Sequence, residues 1–197
     1  MRQSKYRKHL LHLLKKPFFT IKEARKFKIP KHALAYLAKK GDLERVSRGI
    51  YRSSKYEPLV DFEWENLALR AATIPQGVIC LISALCFYDL TDQIMRDAWI
   101  AIPHSCRAPQ KPQTRIIRMR NLELGKTTIK MGEFKVHIFD RERCVVDAFR
   151  YLSKEIALKS LQNYLQGKNH KPQLKKLSDY AKKLRVDLAP YILSYTT

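Results

Sequence analysis

The sequence lacks the common signatures of enzymes and of membrane proteins. Its six glycines form no GxGxxG or GxxxxGK loop of the kind that cradles phosphates, and the HExxH, GxSxG and CxxC patterns are absent. The longest apolar stretch, from Val78 to Tyr88, is too short to span a bilayer, and the N-terminus has no signal-peptide pattern. We therefore expect a cytoplasmic protein with no catalytic residue, no metal ligand and no cofactor.

Cysteine is also scarce, and its positions do not have the paired spacing of a zinc site. An isolated cysteine behaves as a small apolar residue, and the cytosol keeps its thiol reduced. We therefore expect reduced thiols in the core at Cys80, Cys86, Cys106 and Cys144.

Acidic residues are few. The sequence has 39 Lys and Arg but only 18 Asp and Glu, which gives a net charge of +21. Residues 1–60 hold 17 basic against 4 acidic residues, residues 61–108 hold 3 against 6, and residues 109–197 hold 19 against 8. An excess of this size predicts a polyanionic partner, with nucleic acid ahead of an anionic membrane surface.

The basic N-terminal segment has the apolar periodicity of short helices. Tyr6, Leu10, Leu13 and Leu14 form one face of a first helix, which Pro17 ends. The segment therefore begins with an amphipathic helix that needs a partner for its apolar face.

Two more helices are predicted after the first. Thr20 and Glu23 have the spacing of a capping box at the start of the second helix, and Pro30 suits the first turn of the third. Gly41 is placed to end the third helix in a left-handed conformation. The inward face of the third helix is apolar: Leu34, Leu37 and Ala38.

A hairpin follows the third helix directly. Residues 43–46 and 50–52 are predicted as short strands, and Gly49 can adopt the positive φ that the turn between them requires. Three short helices followed by a hairpin are typical of a winged helix-turn-helix, whose third helix enters the major groove of double-stranded DNA.

This arrangement predicts the DNA-contacting residues. The outward positions of the recognition helix are Lys31, His32, Ala35, Tyr36 and Lys39, and the wing adds Arg45, Arg48 and Arg52. The first helical positions are expected to reach base edges, and the later ones and the wing to reach phosphates or the minor groove. The alternative is a merely solvated surface or a protein-docking module.

The remainder of the chain predicts a mixed α/β domain with a helical end, so the fold class is α+β. We place the DNA-binding domain at residues 1–56 and the second domain at residues 57–197, because polar residues and a proline interrupt the pattern at residues 52–58.

Several elements of the second domain can be placed. Residues 77–82 and 97–103 are predicted strands, and Ser83 is predicted to cap the helix after the first of them. A third strand carries arginines on one basic face: Arg115, Arg118 and Arg120. A hairpin turns at Gly132, and Asp140 is expected to cap the helix that follows it.

One carboxylate cluster, Asp140, Glu142 and Asp147, raises the alternative of a DNA-targeted nuclease, with Lys135 beside a metal. The favoured interpretation is structural, with Asp140 as a helix cap and Asp147 paired with an arginine, Arg143 or Arg150. RNA binding ranks last, because the arginine-rich strand at residues 114–120 has no aromatic residue.

Four segments in order resemble the AbiEi-type antitoxins of abortive-infection toxin–antitoxin pairs: LAKKGDLERVSRGIYR, SALCFYDLTDQ, WIAIP and VHIFDRERCVVDAFR. The likeness runs from about Thr20 to Arg150. It implies a transcriptional autorepressor whose C-terminal domain neutralises a nucleotidyltransferase-type toxin. Repressors of this kind are often dimers on an inverted repeat.

The sequence departs from the family pattern at two places. Tyr88-Asp89 stands where His-Gly is expected, and Arg143-Cys144 stands where a Lys-Thr or Arg-Thr pair is expected. A second interpretation is therefore a divergent, stand-alone regulator that has lost or changed its toxin partner.

Overall fold

The chain divides into two compact units, between residues 59 and 60. The computed structural model describes residues 7–57, 60–167 and 170–196, and Tyr6 of the predicted first apolar face lies outside them. No helix within these ranges is long and apolar enough to cross a membrane.

Unit 1 is a winged helix-turn-helix, as predicted, and its elements follow in order along the chain. They are α1 (Arg7–Leu14), β1 (Phe19–Thr20), α2 (Ile21–Lys26), α3 (Lys31–Lys39), β2 (Leu43–Ser47) and β3 (Ile50–Ser53). The strands form an antiparallel sheet in the order β1-β3-β2. The sequence did not reveal β1, because two residues are too few to show an alternating pattern.

The helices of unit 1 enclose a small core. Leu10 and Leu13 of α1, Ala24 of α2, and Leu34 and Leu37 of α3 are all buried. The predicted apolar faces of these helices are therefore the faces that pack together.

Unit 2 contains a five-stranded sheet and six helices in its described residues. They are α4 (Phe62–Ala72), β4 (Val78–Ile79), α5 (Leu81–Phe87), β5 (Ala98–Pro103), β6 (Thr114–Met119), β7 (Lys126–Met131), β8 (Phe134–Phe139), α6 (Arg141–Tyr151), α7 (Lys154–Gln166), α8 (Leu174–Leu184) and α9 (Ala189–Thr196). The strand order is β6-β5-β4-β8-β7, which leaves β6 and β7 at the edges. The predicted mixed domain with a helical end is confirmed.

The sheet of unit 2 mixes parallel and antiparallel neighbours. β5 pairs with β6 and β4 pairs with β8 in parallel, whereas β4–β5 and β7–β8 are antiparallel. The predicted hairpin is β7–β8, and Gly132 at its turn has φ of +59°. The helix predicted after it is α6, and the Asp140 carboxylate caps it by accepting from the Arg143 amide at 2.9 Å.

The sequence prediction around Ser83 was wrong. The strand predicted at residues 77–82 is only Val78–Ile79, and α5 begins at Leu81, so Ser83 lies inside the helix. Its buried hydroxyl accepts a hydrogen bond from the Trp99 amide at 2.8 Å. Ser83 therefore joins α5 to β5 instead of capping a helix.

Two other expectations are corrected. Arg115 and Arg118 of β6 are separated by three positions, and alternate residues of a strand face opposite sides, so they do not share a basic face. All four cysteines are free, but only Cys80 and Cys144 are buried, while Cys86 and Cys106 are half-exposed.

Candidate DNA interface

The start of α2 is fixed by a capping box, as predicted. The Thr20 hydroxyl accepts from the Glu23 amide at 3.2 Å, and the Glu23 carboxylate accepts from the Thr20 amide at 2.9 Å. Burial would raise the pKa of Glu23, but bonds from Lys16 and Thr20 outweigh it and leave the pKa below the ordinary value. The helix α2, which is the first helix of the helix-turn-helix motif itself, therefore begins at a defined residue.

The turn between α2 and α3 is a tight Schellman motif. The Lys28 amide donates to the Arg25 carbonyl at 2.9 Å, and the Ile29 amide donates to the Ala24 carbonyl at 3.0 Å. Lys28 has φ of +57°, and Ile29 is completely buried. These bonds fix the direction in which α3 leaves the turn.

α3 is bounded at both ends and presents two distinct faces. Pro30 is the N-cap and lies one residue before α3, not in its first turn as predicted, whereas Gly41, with φ of +86°, follows the last turn as predicted. The inner face buries Leu34 and Leu37, together with Ala33, which the sequence did not single out. The side chains on the opposite face are all exposed: Lys31, His32, Ala35, Tyr36 and Lys39.

The composition of this outer face suits a DNA groove. Tyr36 is 63% exposed although it is a large aromatic residue. Ala35 is small, so the helix backbone at this point can approach a partner closely. Lys31 and Lys39 form no ion pair with any residue in the described ranges, so both charges are available to a partner.

The wing is attached to the start of α2. The Ile21 amide donates to the carbonyl of Gly49 at 3.0 Å, and Thr20 pairs with Ile50 in the sheet. Gly49 has φ of +82°, as its place in the turn requires. The hairpin and the helix-turn-helix therefore form one body, and the wing has a fixed position beside α3.

The three wing arginines have different environments. Arg45 and Arg48 are exposed and make no ion pair within the described part of the chain. Arg52 is half-buried and its Nε lies 2.7 Å from a Glu44 carboxylate oxygen. Arg45 pairs with Tyr51 across the hairpin, whereas Arg52 pairs with Glu44, so Arg45 and Arg52 stand on opposite faces.

Further exposed cations lie on α2, which the sequence analysis did not include among the candidate DNA-contacting residues. Lys22, Arg25 and Lys26 are all exposed, and none forms an ion pair among the described residues. The apolar face of this helix is formed by Ile21, Ala24 and Phe27. The three cations lie outside that face, and this position in the helical pattern could have identified them from the sequence. In helix-turn-helix proteins the first helix of the motif crosses the phosphate backbone, where such side chains bind.

The carboxylates of the nuclease alternative are engaged in other bonds. Asp147 is 1% exposed and accepts from Arg143 Nε at 2.7 Å and from Arg150 Nη1 at 2.6 Å, as the structural interpretation predicted. Asp140 caps α6 and lies 3.0 Å from Lys176 Nζ. The described residues contain no group of three or more His, Cys, Asp or Glu placed to hold a metal ion.

The N-terminal unit is similar to a known family of regulators. Residues 10–54 match the family of transcriptional regulators described as AbiEi antitoxins. This confirms the expected resemblance for the first of the four segments, and the matched range includes α2, α3 and the wing; the likeness predicted for residues 55–150 stays a prediction. A search of curated proteins found no match.

Proposed function

We propose that unit 1 binds double-stranded DNA, with α3 in the major groove and the wing on the neighbouring backbone, and that the protein regulates transcription. The carrying observation is that the unpaired, exposed cations of α2, α3 and the wing lie on one winged helix-turn-helix body. Its match to a family of regulators supports the same proposal.

The residues have separate roles in this proposal. Lys31 and His32, in the first turn of α3, donate to acceptors on base edges, and Ala35 allows close approach to a thymine methyl. Tyr36 and Lys39 bind phosphates further along the helix. Arg45 and Arg48 extend the interface to the wing, and Arg52 contributes less because Glu44 already neutralises it.

The more specific proposal is that the protein represses its own operon, which also encodes a nucleotidyltransferase-type toxin. Unit 2 provides the antitoxic activity in this proposal. The AbiEi match of unit 1 supports this assignment by family. Two copies on an inverted repeat are the expected binding form. The alternative is a stand-alone regulator. Co-expression of this protein with the product of the neighbouring gene distinguishes the two functions, because only an antitoxin restores growth that this product inhibits.

DNA binding is tested by measuring affinity for duplex DNA against salt concentration. Each neutralised phosphate contributes a slope of about 0.9 to the fall of log K with log salt. Phosphate binding by α2, α3 and the wing together predicts a slope of roughly 5 or more. A flat salt response would reject the proposal.

A further inference from the structure

Unit 2 contains a cavity of about 640 Å³ that the proposed regulatory function does not use. It lies between the segment that follows α5, the first residues of β5 and β6, and the junction of α6 with α7. The lining residues that matter below are Arg96, Asp97, Trp99, Arg115 and Tyr151. Its size falls within the range of about 300–1,000 Å³ that is typical of small-molecule sites.

The sheet register builds a flat platform in one wall of this cavity. Trp99 and Arg115 are direct neighbours in the parallel pair β5–β6, and the guanidinium lies 4.4 Å from the centre of the indole ring. The Trp99 amide is bonded to the buried Ser83 hydroxyl at 2.8 Å, which ties this end of β5 to α5. An arginine stacked in this way keeps its outer face and its N–H edge for a ligand.

The charged side chains around the cavity do not neutralise one another. Arg96, Arg115 and Asp97 line it, yet no side-chain hydrogen bond or ion pair joins any of them to another residue that the structure describes. By contrast, the Asp147 carboxylate in the same unit is bonded to two arginines. Charges of both signs therefore face the same space and are available to one ligand.

This lining defines the chemistry of the ligand. The Trp99–Arg115 stack and the Tyr151 ring suit a flat ring, because bases stack on aromatic and guanidinium planes. The N–H groups of Arg96 and Arg115 suit a phosphate, and the Asp97 carboxylate suits hydroxyl or amine donors. A nucleotide carries a flat ring, a phosphate and such donors in one molecule.

We propose that this cavity binds a nucleotide unit, with its base against the Arg115 and Tyr151 side chains and its phosphate on Arg96 and Arg115. The unit comes either from a free mononucleotide or from an unpaired nucleotide of a single strand. The proposal concerns unit 2 alone and does not depend on duplex binding by unit 1.

The experiment uses the full chain with the Trp64→Phe substitution. The sequence has two tryptophans, so Trp99 then remains as the single fluorescent reporter in the cavity. AMP and UMP are titrated first, followed by a short single-stranded oligonucleotide, with adenosine and inorganic phosphate as partial ligands. Isothermal calorimetry on the wild-type chain measures the same affinities without relying on Trp99.

The expected result is a fluorescence change and binding heat with a mononucleotide or the oligonucleotide, and much weaker binding of adenosine or phosphate alone. Arg115→Ala should weaken binding by about tenfold or more, the effect of removing one charge-assisted hydrogen bond. Arg118→Ala is the matched control, because Arg118 is exposed on the same strand but faces the other side of the sheet.

Three results overturn the proposal. The first is no binding of either mononucleotide or the oligonucleotide at concentrations up to about 1 mM, the weak end of specific affinity. The second is equal weakening by Arg115→Ala and Arg118→Ala. The third is that neither mononucleotide binds, and oligonucleotide binding persists in Arg115→Ala but disappears in the Arg45→Ala/Arg48→Ala variant, because that places the only binding on unit 1.

Discussion

Both units carry an excess of positive charge, but they use it differently. Residues 1–60 hold 17 Lys and Arg against 4 Asp and Glu, and residues 61–197 hold 22 against 14. In unit 1, Lys31, Lys39, Arg45 and Arg48 are exposed and form no ion pair within the described ranges. Around α6 of unit 2, basic side chains are drawn into contact with carboxylates.

The ion pairs around α6 of unit 2 include Arg143, whose side chain is 0% exposed. Its Nε donates to Asp147, and its Nη1 donates to the carbonyls of Asn121 and Leu124 at 3.0 and 2.9 Å. A Cβ at Gly125 would lie 2.7 Å from the Arg143 Cβ, so only glycine fits at this close approach. Net charge alone therefore does not locate a binding surface; the pairing and burial of each charge do.

The largest expected effect is the removal of the buried cation in unit 2. Arg143→Met should lower the free energy of unfolding by about 3–5 kcal/mol, because the buried Asp147 carboxylate then keeps only Arg150 as a partner and two backbone carbonyls lose their donor. Urea denaturation followed by tryptophan fluorescence measures it, since both tryptophans lie in unit 2. The matched control Arg118→Met, at an exposed arginine, should stay within about 0.5 kcal/mol. Equal effects at the two positions would contradict the structural role of Arg143.

A smaller effect is expected on the recognition helix of unit 1. Ala35→Glu should change the preferred DNA site and weaken binding by about 1–3 kcal/mol for each base that is no longer read, because a longer, anionic side chain enters the groove. Lys39→Ala should reduce affinity for all sites alike, because a phosphate carries no sequence information. Selection from random duplexes with the wild type and both variants measures this. Recovery of the wild-type site by Ala35→Glu, at unchanged affinity, shows that α3 does not read bases.

The wing allows unpaired and paired arginines to be compared within one hairpin. Replacing both Arg45 and Arg48 by alanine should reduce the salt slope by about 1.8, as expected when two phosphates are no longer neutralised. Arg52→Ala is the internal control and should change the slope less, because its partner Glu44 already lies 2.7 Å away. Binding isotherms at several salt concentrations provide the slopes. If the Arg45/Arg48 variant binds like the wild type, the hairpin does not touch DNA.

The exposed surface that we propose to bind DNA was predictable because it follows from local patterns. The capping box at Thr20, the left-handed Gly41 and the two-faced pattern of α3 all depend on residues close together in the sequence. The same spacing that buries Leu34 and Leu37 leaves Ala35 and Tyr36 outside. The Schellman turn at Lys28 was missed, because left-handed backbone at a lysine has no marker comparable to glycine.

Unit 2 was less predictable because its packing joins distant segments. The strand at Val78–Ile79 is too short to carry an alternating signal, so the start of α5 and the role of Ser83 were misplaced. The cavity depends on the register that sets Trp99 beside Arg115, and no local pattern encodes a pairing across β5 and β6. The Asp147 pairs were predictable, because Arg143 and Arg150 lie one helical turn away on α6.

The smallest expected effect concerns pH and the carboxylates of unit 2. Burial would raise the pKa of Glu142, but hydrogen bonds from Lys176 and Tyr164 outweigh it and leave the pKa below the ordinary value. The folded state therefore binds a proton less readily than the unfolded state does. The resulting stability is fully present above the ordinary pKa of a glutamate and is lost as pH falls through the lower, folded value.

Glu142→Gln removes this titration while keeping an acceptor for Tyr164, so its unfolding free energy should depend less on pH below the ordinary glutamate pKa. Urea denaturation at several acidic pH values, followed by tryptophan fluorescence, compares the variant with the wild type. Glu23→Gln is the control, because Glu23 also has a lowered pKa but lies in unit 1, which has no tryptophan. An unchanged pH slope in Glu142→Gln would show that Lys176 does not hold Glu142 ionised in the folded protein.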